Sequence, residues 1–195
     1  LKNKSWEEAG IYLEEEGERW NKGNPWKDST VQRDSLRKRL GYWKVIGADE
    51  VVLSWIAEGV RLRFMSEPDA IEFKNHPSYY TYQTFVEEQH IQHIKDGSYI
   101  EMTSEQVKNV CPLQVEKNKK GKLRMCNDLR WINAFIPHID FKMESLTTHL
   151  ADIIEEGTDQ VMFTTDIQKA YYAIPMHKST WPYLTWKHKD KYMAA

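Results

Sequence analysis

The sequence predicts an α+β protein in which a helical N-terminal region precedes antiparallel strands. Three observations predict it. Capping signals and apolar residues at helical spacing recur through residues 1–75. After Cys111 the period drops to two around a Lys- and Gly-rich turn. A β-prone run, "VMFTT", then leads straight into one acid, Asp166.

Taken in order, Ser5 and Glu8 form a capping box that opens a helix through "SWEEAGIYLEEEGERW". Its expected apolar face is Trp6, Ile11, Tyr12 and Trp20. "NKGNPWKDS" is a loop. Ser29 or Thr30 then caps a helix through "VQRDSLRKRLGYWKVIG". Asp49 begins another, "DEVVLSWIAEGVRLRF", with Val52, Trp55, Ile56 and Val60 along one stripe. "EPDAIEFKNHPSYY" carries two prolines and reads as a linker, which divides a helical extension, 1–75, from a second unit, 76–195.

In that second unit a helix, "YQTFVEEQHIQHIKDG", ends at Gly97, and "TSEQ" from Thr103 opens a short one. "PLQVEKNKKGKLRMCN" is a β-hairpin and "DLRWINAFIPH" a turn or short helix. "SLTTHLADIIEEG" is amphipathic, with Leu146, Leu150, Ile153 and Ile154 on one face and Gly157 as C-cap. The strand into Asp166 follows, and "YLTWKHKDKYMAA" is a closing hairpin turning at "KHKD".

A length of 195 residues allows one or two domains. Lys and Arg number 27 against 29 Asp and Glu, for a net charge of −2. That excludes a chain basic all over, but a local cationic patch suffices for nucleic acid. No apolar run approaches the roughly 20 residues that cross a bilayer, so no membrane partner is expected. "LKNKSWEEAG" has neither a signal peptide's apolar region nor an initiator Met, so the chain reads as part of a longer one. Cys111 and Cys126 form no CxxC pair, which suits a reducing compartment, the cytoplasm or nucleus. Their spacing fits no common zinc module, and His90 and His93 are expected to face solvent.

The densest cationic segment is Lys117, Lys119, Lys120, Lys122, Arg124 and Arg130, set against Asp128 alone. On a two-stranded hairpin Lys122 and Arg124 share a face. Such a projecting loop suits polyphosphate, with Lys as a mobile point charge and Arg as a planar fork. A solvated basic turn accounts for the same residues. Asp128 and Arg130 are close enough to form a structural ion pair, with Asn133 beside them. Asp166 has two readings, a carboxylate presented to a divalent metal at a strand end or the N-cap of a helix starting at Ile167. The residues alone leave both open. One Asp does not build a two-metal phosphoryl-transfer site.

The order of these pieces is informative. A basic hairpin, "PLQVEKNKKGKLRMCNDLRWIN", stands about 40 residues before "FTTDIQKAYYAIPM", with a helix between. This resembles the fingers and first palm segment of reverse transcriptases over Cys111–Trp186, and more loosely over Arg37–Tyr99. Through "LGYWKVIGADEVVLSWIAEGVRLRF" it is similar to retrotransposon enzymes of the DIRS type. Residues 1–36 have no counterpart in the resemblance.

The resemblance implies an incomplete right-hand polymerase fold acting on an RNA or DNA template with primer and on deoxynucleoside triphosphates. It places Lys117 and Arg124 on the incoming triphosphate, with Lys119, Lys120 and Lys122 near template phosphates. Asp128, Arg130 and Asn133 match a D-x-R-x-x-N stretch, in which Arg130 contacts template or braces the fingers. Asp166 matches the first catalytic aspartate, a ligand to two Mg2+ ions, with the Ile167 carbonyl a further ligand. Lys169 and Ala170 border the triphosphate through their backbone. Tyr171 matches the ring beneath the deoxyribose that excludes a 2′-hydroxyl, with Tyr172 and Pro175 as its apolar support.

Lys169 departs from the acidic or polar residue common at that position. No Asp-Asp pair occurs in the chain, although the family's other metal ligands lie in a Tyr/Phe-x-Asp-Asp hairpin. The resemblance therefore implies downstream polymerase and RNase H regions in the same polyprotein, and a chain inactive by itself. The competing expectation is a degenerate or domesticated module that binds nucleic acid or protein without catalysis.

Overall fold

The computed structural model describes residues 5–31, 34–142, 145–156 and 170–195, and in them the protein is a mixture of helix and sheet, α+β. Helix α1, Trp6–Asn21, begins on the expected capping box: Ser5 Oγ accepts the Glu8 N–H, and Glu8 accepts the Ser5 N–H. The face it buries is not the aromatic one. Ile11 and Trp20 are exposed, while Gly17 and Asn21 meet helix α2, Leu40–Val45. A Cβ on Gly41 would lie 2.5 Å from the Gly17 carbonyl oxygen, so only glycine permits this crossing.

One long helix over residues 31–47 does not form among the described residues. The Asn21 and Asn24 amides donate to the Lys38 and Arg37 carbonyls, at 2.6 and 2.7 Å. Those oxygens are thereby shared with side chains from the end of α1 and the turn after it, and Arg37–Arg39 forms a 3-10 turn instead. A half-buried Arg37–Asp34 pair at 2.9 Å and a bond from Arg37 Nε to the Ile56 carbonyl at 3.1 Å tie this turn to α3, Glu50–Glu58. Helix α3 is capped by Asp49, whose side chain accepts the Val51 N–H at 2.7 Å. It stops well short of Phe64 because Gly59 turns to φ +97°. Leu53 and Ile56 face inward, while Val52 and Trp55 are exposed, one position off the expected stripe.

The expected linker is structured. Strand β1, Ile71–Glu72, pairs in parallel with β3, Asn109–Val110. Helix α4, Pro77–Thr81, starts with Pro at its first turn and His76 Nδ1 accepting the Ser78 N–H. Helix α5, Gln83–Lys95, ends before Gly97 as expected. Strand β2, Ile100–Met102, pairs antiparallel with β7, Lys191–Ala194, which also pairs with β6, Trp186–His188. The order β2-β7-β6 closes the sheet, and Lys189 adopts φ 55° in the β6–β7 turn.

The predicted basic hairpin is present as β4, Leu113–Lys117, and β5, Leu123–Asn127, with helix α6, Arg130–Asn133, after it. Helix α7, Leu146–Glu156, is where the amphipathic pattern places it, though Leu150 and Ile154 are exposed rather than buried. Helix α8 is Ala170–Ala173. The strand expected over Val161–Thr165, the cap expected at Gly157, and Asp166, Ile167 and Lys169 lie outside the described residues.

The core gathers Tyr79, Val86, Tyr99, Leu113, Val115, Trp186 and Met193. His90 and His93, expected at the surface, are buried within it, at 2% and 6% exposure. Their places on the surface of α5 go to Ile91 and Ile94. Trp186 Nε1–H donates to His90 Nε2 at 2.8 Å, so His90 carries its proton on Nδ1 and donates to the Val86 carbonyl. His188 stacks on His90 at 3.9 Å, and its Nδ1 meets the Tyr79 hydroxyl at 2.9 Å. No helix among the described residues is long and apolar enough to cross a membrane.

Candidate nucleotide and nucleic-acid site

The β4–β5 ribbon has two unlike faces because its register is fixed. Leu113 opposes Asn127, Val115 opposes Met125 and Lys117 opposes Leu123. This face is anchored in the core through Leu113 and Val115. The other face pairs Gln114 with Cys126 and Glu116 with Arg124. Lys117 and Arg124 therefore stand on opposite faces of the ribbon. The structure does not bring them together across the ladder. Lys122 lies beyond the last pair, on the side of Arg124 by alternation.

The end of the ribbon is ordered by Asn118, which the sequence argument overlooked. Its Oδ1 accepts the N–H groups of Lys120 and Lys122 at 3.0 and 2.9 Å, and its carbonyl accepts Gly121 N–H at 2.9 Å. Asn between a strand and a Gly-bearing turn is the signal that could have found it. Lys117, Lys119, Lys120, Lys122 and Arg124 are all exposed. Facing water, they leave polyphosphate or backbone phosphates free to approach.

Arg130 and Asp128 do form the ion pair. Nε lies 2.9 and 3.0 Å from the two carboxylate oxygens, and Nη2 lies 2.5 Å from Oδ2. The Arg130 hydrogen bonds hold the Asp128 carboxyl below the usual carboxylate range. Asp128 Oδ1 also accepts the Arg130 N–H at 3.1 Å, which starts α6. Ile132 buries fully beneath, leaving Arg130 and Asn133 on the outside. The guanidinium is thus oriented by a carboxylate while its other edge faces solvent.

Ala170 and Tyr171 sit on α8, exposed, with the Tyr171 ring 98% accessible. Tyr172 turns inward and stacks on His93 at 4.8 Å. Tyr171, Tyr172, Pro175 and Trp181 line a cavity of about 540 Å³ together with Asn127 at the root of the ribbon and Leu129. The chain's two candidate regions, the ribbon and the Tyr171 helix, meet at this cavity.

The Asp166 carboxylate and Ile167 carbonyl would offer hard oxygen donors, the chemistry Mg2+ takes. Among the described residues no group of three or more His, Cys, Asp or Glu side chains is placed to hold a metal ion. Cys111 is buried, which pushes its thiol up to about 12, and it is unsuited to ligation as thiolate near neutrality.

No protein-family model matches the chain, and no curated protein matches it. Among solved structures, the foamy viral protease-reverse transcriptase in complex with dsDNA is similar at TM-score 0.48 and 15% identity, over 93% of this chain and 37% of that one. The same protein's dRH form with ds DNA gives TM-score 0.47 and 18% identity, over 68% of this chain and 22% of that one. Its complex with an RNA/DNA hybrid gives TM-score 0.46 and 16% identity, over 91% and 24%. The chain thus spans well under half the length of these structures.

Proposed function

We propose that the chain is the fingers and first palm segment of a retroelement RNA-directed DNA polymerase. What supports the reading most is one juxtaposition. The root of an exposed Lys/Arg ribbon and an exposed Tyr171 wall the same cavity, in the order "hairpin, helix, D-x4-Y". Lys117 and Arg124 would neutralise the incoming triphosphate from two sides of the ribbon end, and Lys119, Lys120 and Lys122 would follow template phosphates. Arg130, held by Asp128, and Asn133 would face the template strand. Asp166 and the Ile167 carbonyl would hold Mg2+, which supplies charge stabilisation in phosphoryl transfer. The further acids would come from the same polyprotein. The DIRS-type origin rests on the "LGYWKVIGADEVVLSWIAEGVRLRF" segment alone.

Primer extension with magnesium tests the reading. Residues 1–195 alone are expected to extend no primer, and an extended chain carrying the downstream Asp pair is expected to be active. An extended chain without activity would overturn the assignment. In the active chain Tyr171→Val is expected to raise ribonucleotide use relative to deoxynucleotide roughly tenfold, because the ring no longer fills the 2′ position. Competition between ATP and dATP at a single template base measures it.

A further inference from the structure

Tyr171 is almost wholly exposed, so packing of its own ring does not fix where it points. Its place is set by the backbone that carries it. One anchor is the stacking of Tyr172 on His93. The other comes from a segment more than 100 residues earlier in the chain. Val60 bridges to Met176 in parallel: Val60 N–H donates to the Pro175 carbonyl and His177 N–H donates to the Val60 carbonyl, each at 2.9 Å. Leu62 N–H reaches the Oγ1 of the buried Thr180 at 3.4 Å, and Trp181 Nε1–H donates to the Met176 carbonyl at 3.0 Å.

Gly59 makes this approach possible. A Cβ there would stand 2.6 Å from the His177 nitrogen and 2.7 Å from the Met176 carbonyl carbon, both backbone atoms. Its φ of +97° with ψ 158° is a conformation essentially confined to glycine. Gly59 follows α3 directly, and α3 is tied through the Ile56 carbonyl to the Arg37–Asp34 pair. The N-terminal helices are thereby joined through backbone to Pro175–His177, a few residues beyond Tyr171.

We infer that Gly59–Val60 is a positioning element for Tyr171, through which the N-terminal helices act on sugar selection. This rests on the reading of Tyr171 as the residue that meets the sugar. The element touches no substrate, so its signature is selectivity rather than rate alone. Adding a Cβ at Gly59 pushes the Tyr171 segment off its seat, and small misplacements of a selecting group have large kinetic effects.

The test is the ratio of kcat/KM for dATP to that for ATP, measured in the extended, active chain. Gly59→Ala is expected to lower that ratio about tenfold. Thr180→Val, nearly isosteric, is expected to lower it about twofold by removing the Leu62 partner. Circular dichroism and thermal melting establish that each variant is folded, and Thr180→Val decides alone if Gly59→Ala does not fold. A pure loss of kcat with an unchanged ratio in the folded variants overturns the inference. Tyr171→Val in parallel separates the two failures. If it moves the ratio and the other variants do not, the positioning role is wrong. If it leaves the ratio unchanged, the reading of Tyr171 is wrong and the inference falls with it.

Discussion

Asp166→Asn in an extended, active chain is expected to lower primer extension by about a thousandfold. The substitution keeps the size of the side chain and removes its negative charge. Where a carboxylate holds a divalent ion at the reacting phosphate, the lost charge stabilisation is several kcal/mol, and each ~1.4 kcal/mol is a factor of ten in rate. A helix cap behaves differently. Asn caps a helix about as well as Asp, so under that reading the variant keeps near wild-type rates. The single substitution therefore separates the two meanings the sequence leaves open at this position. Steady-state extension over a range of magnesium concentrations measures it, with thermal melting of residues 1–195 expected to be unchanged. A rate within a few fold of wild type would remove Asp166 from the metal site.

The ribbon was legible because its signals are local. Alternation over "LQVEK" and "LRMCN" and the Lys- and Gly-rich turn lie within 15 residues, and β4 and β5 fall where that pattern puts them. Alternation put Lys122 and Arg124 on one face, but the face Lys117 takes relative to Arg124 was not legible. It depends on register, and pairing Glu116 with Arg124 rather than Lys117 with Arg124 follows from the turn that Asn118 organises. The histidines of α5 failed as a surface prediction for a non-local reason. Trp186 and His188, which make the burial of His90 tolerable, arrive almost 100 residues later, and Tyr172, which stacks on His93, nearly 80 residues later. The aromatic stripe of α1 misled in the opposite direction. Trp20 remains exposed, with the Lys44 ammonium 5.8 Å over its ring, because the glycine crossing decides which face α1 shows to α2.

Trp186→Ala is expected to destabilise the fold by about 3–5 kcal/mol, the cost of removing a buried aromatic side chain. Trp186 packs among Tyr79, Val86, Tyr99, Leu113, Val115 and Met193, joining α4, α5, the ribbon and the β6–β7 hairpin. Its loss also leaves His90 Nε2 without the donor it now accepts from. The same histidine makes stability depend on pH. Burial, more than the neighbouring His188 and His93, lowers its pKa to about 4 from the usual 6.5, against the bond to the Val86 carbonyl. A second proton would sit on Nε2, facing the Trp186 N–H. The unfolded chain accepts that proton first, so the stabilisation is complete above about pH 6.5 and lost as pH falls toward 4. A depression of this size corresponds to about 3 kcal/mol, and His188, also lowered chiefly by burial, adds in the same direction. His90→Gln keeps an acceptor for Trp186 and removes the titrating ring. Urea midpoints measured across that window should fall steeply with acid in the native chain and less so in His90→Gln. Equal slopes would show that the acid sensitivity arises elsewhere, and a Trp186→Ala loss below about 1 kcal/mol would show that the ring does not join these elements.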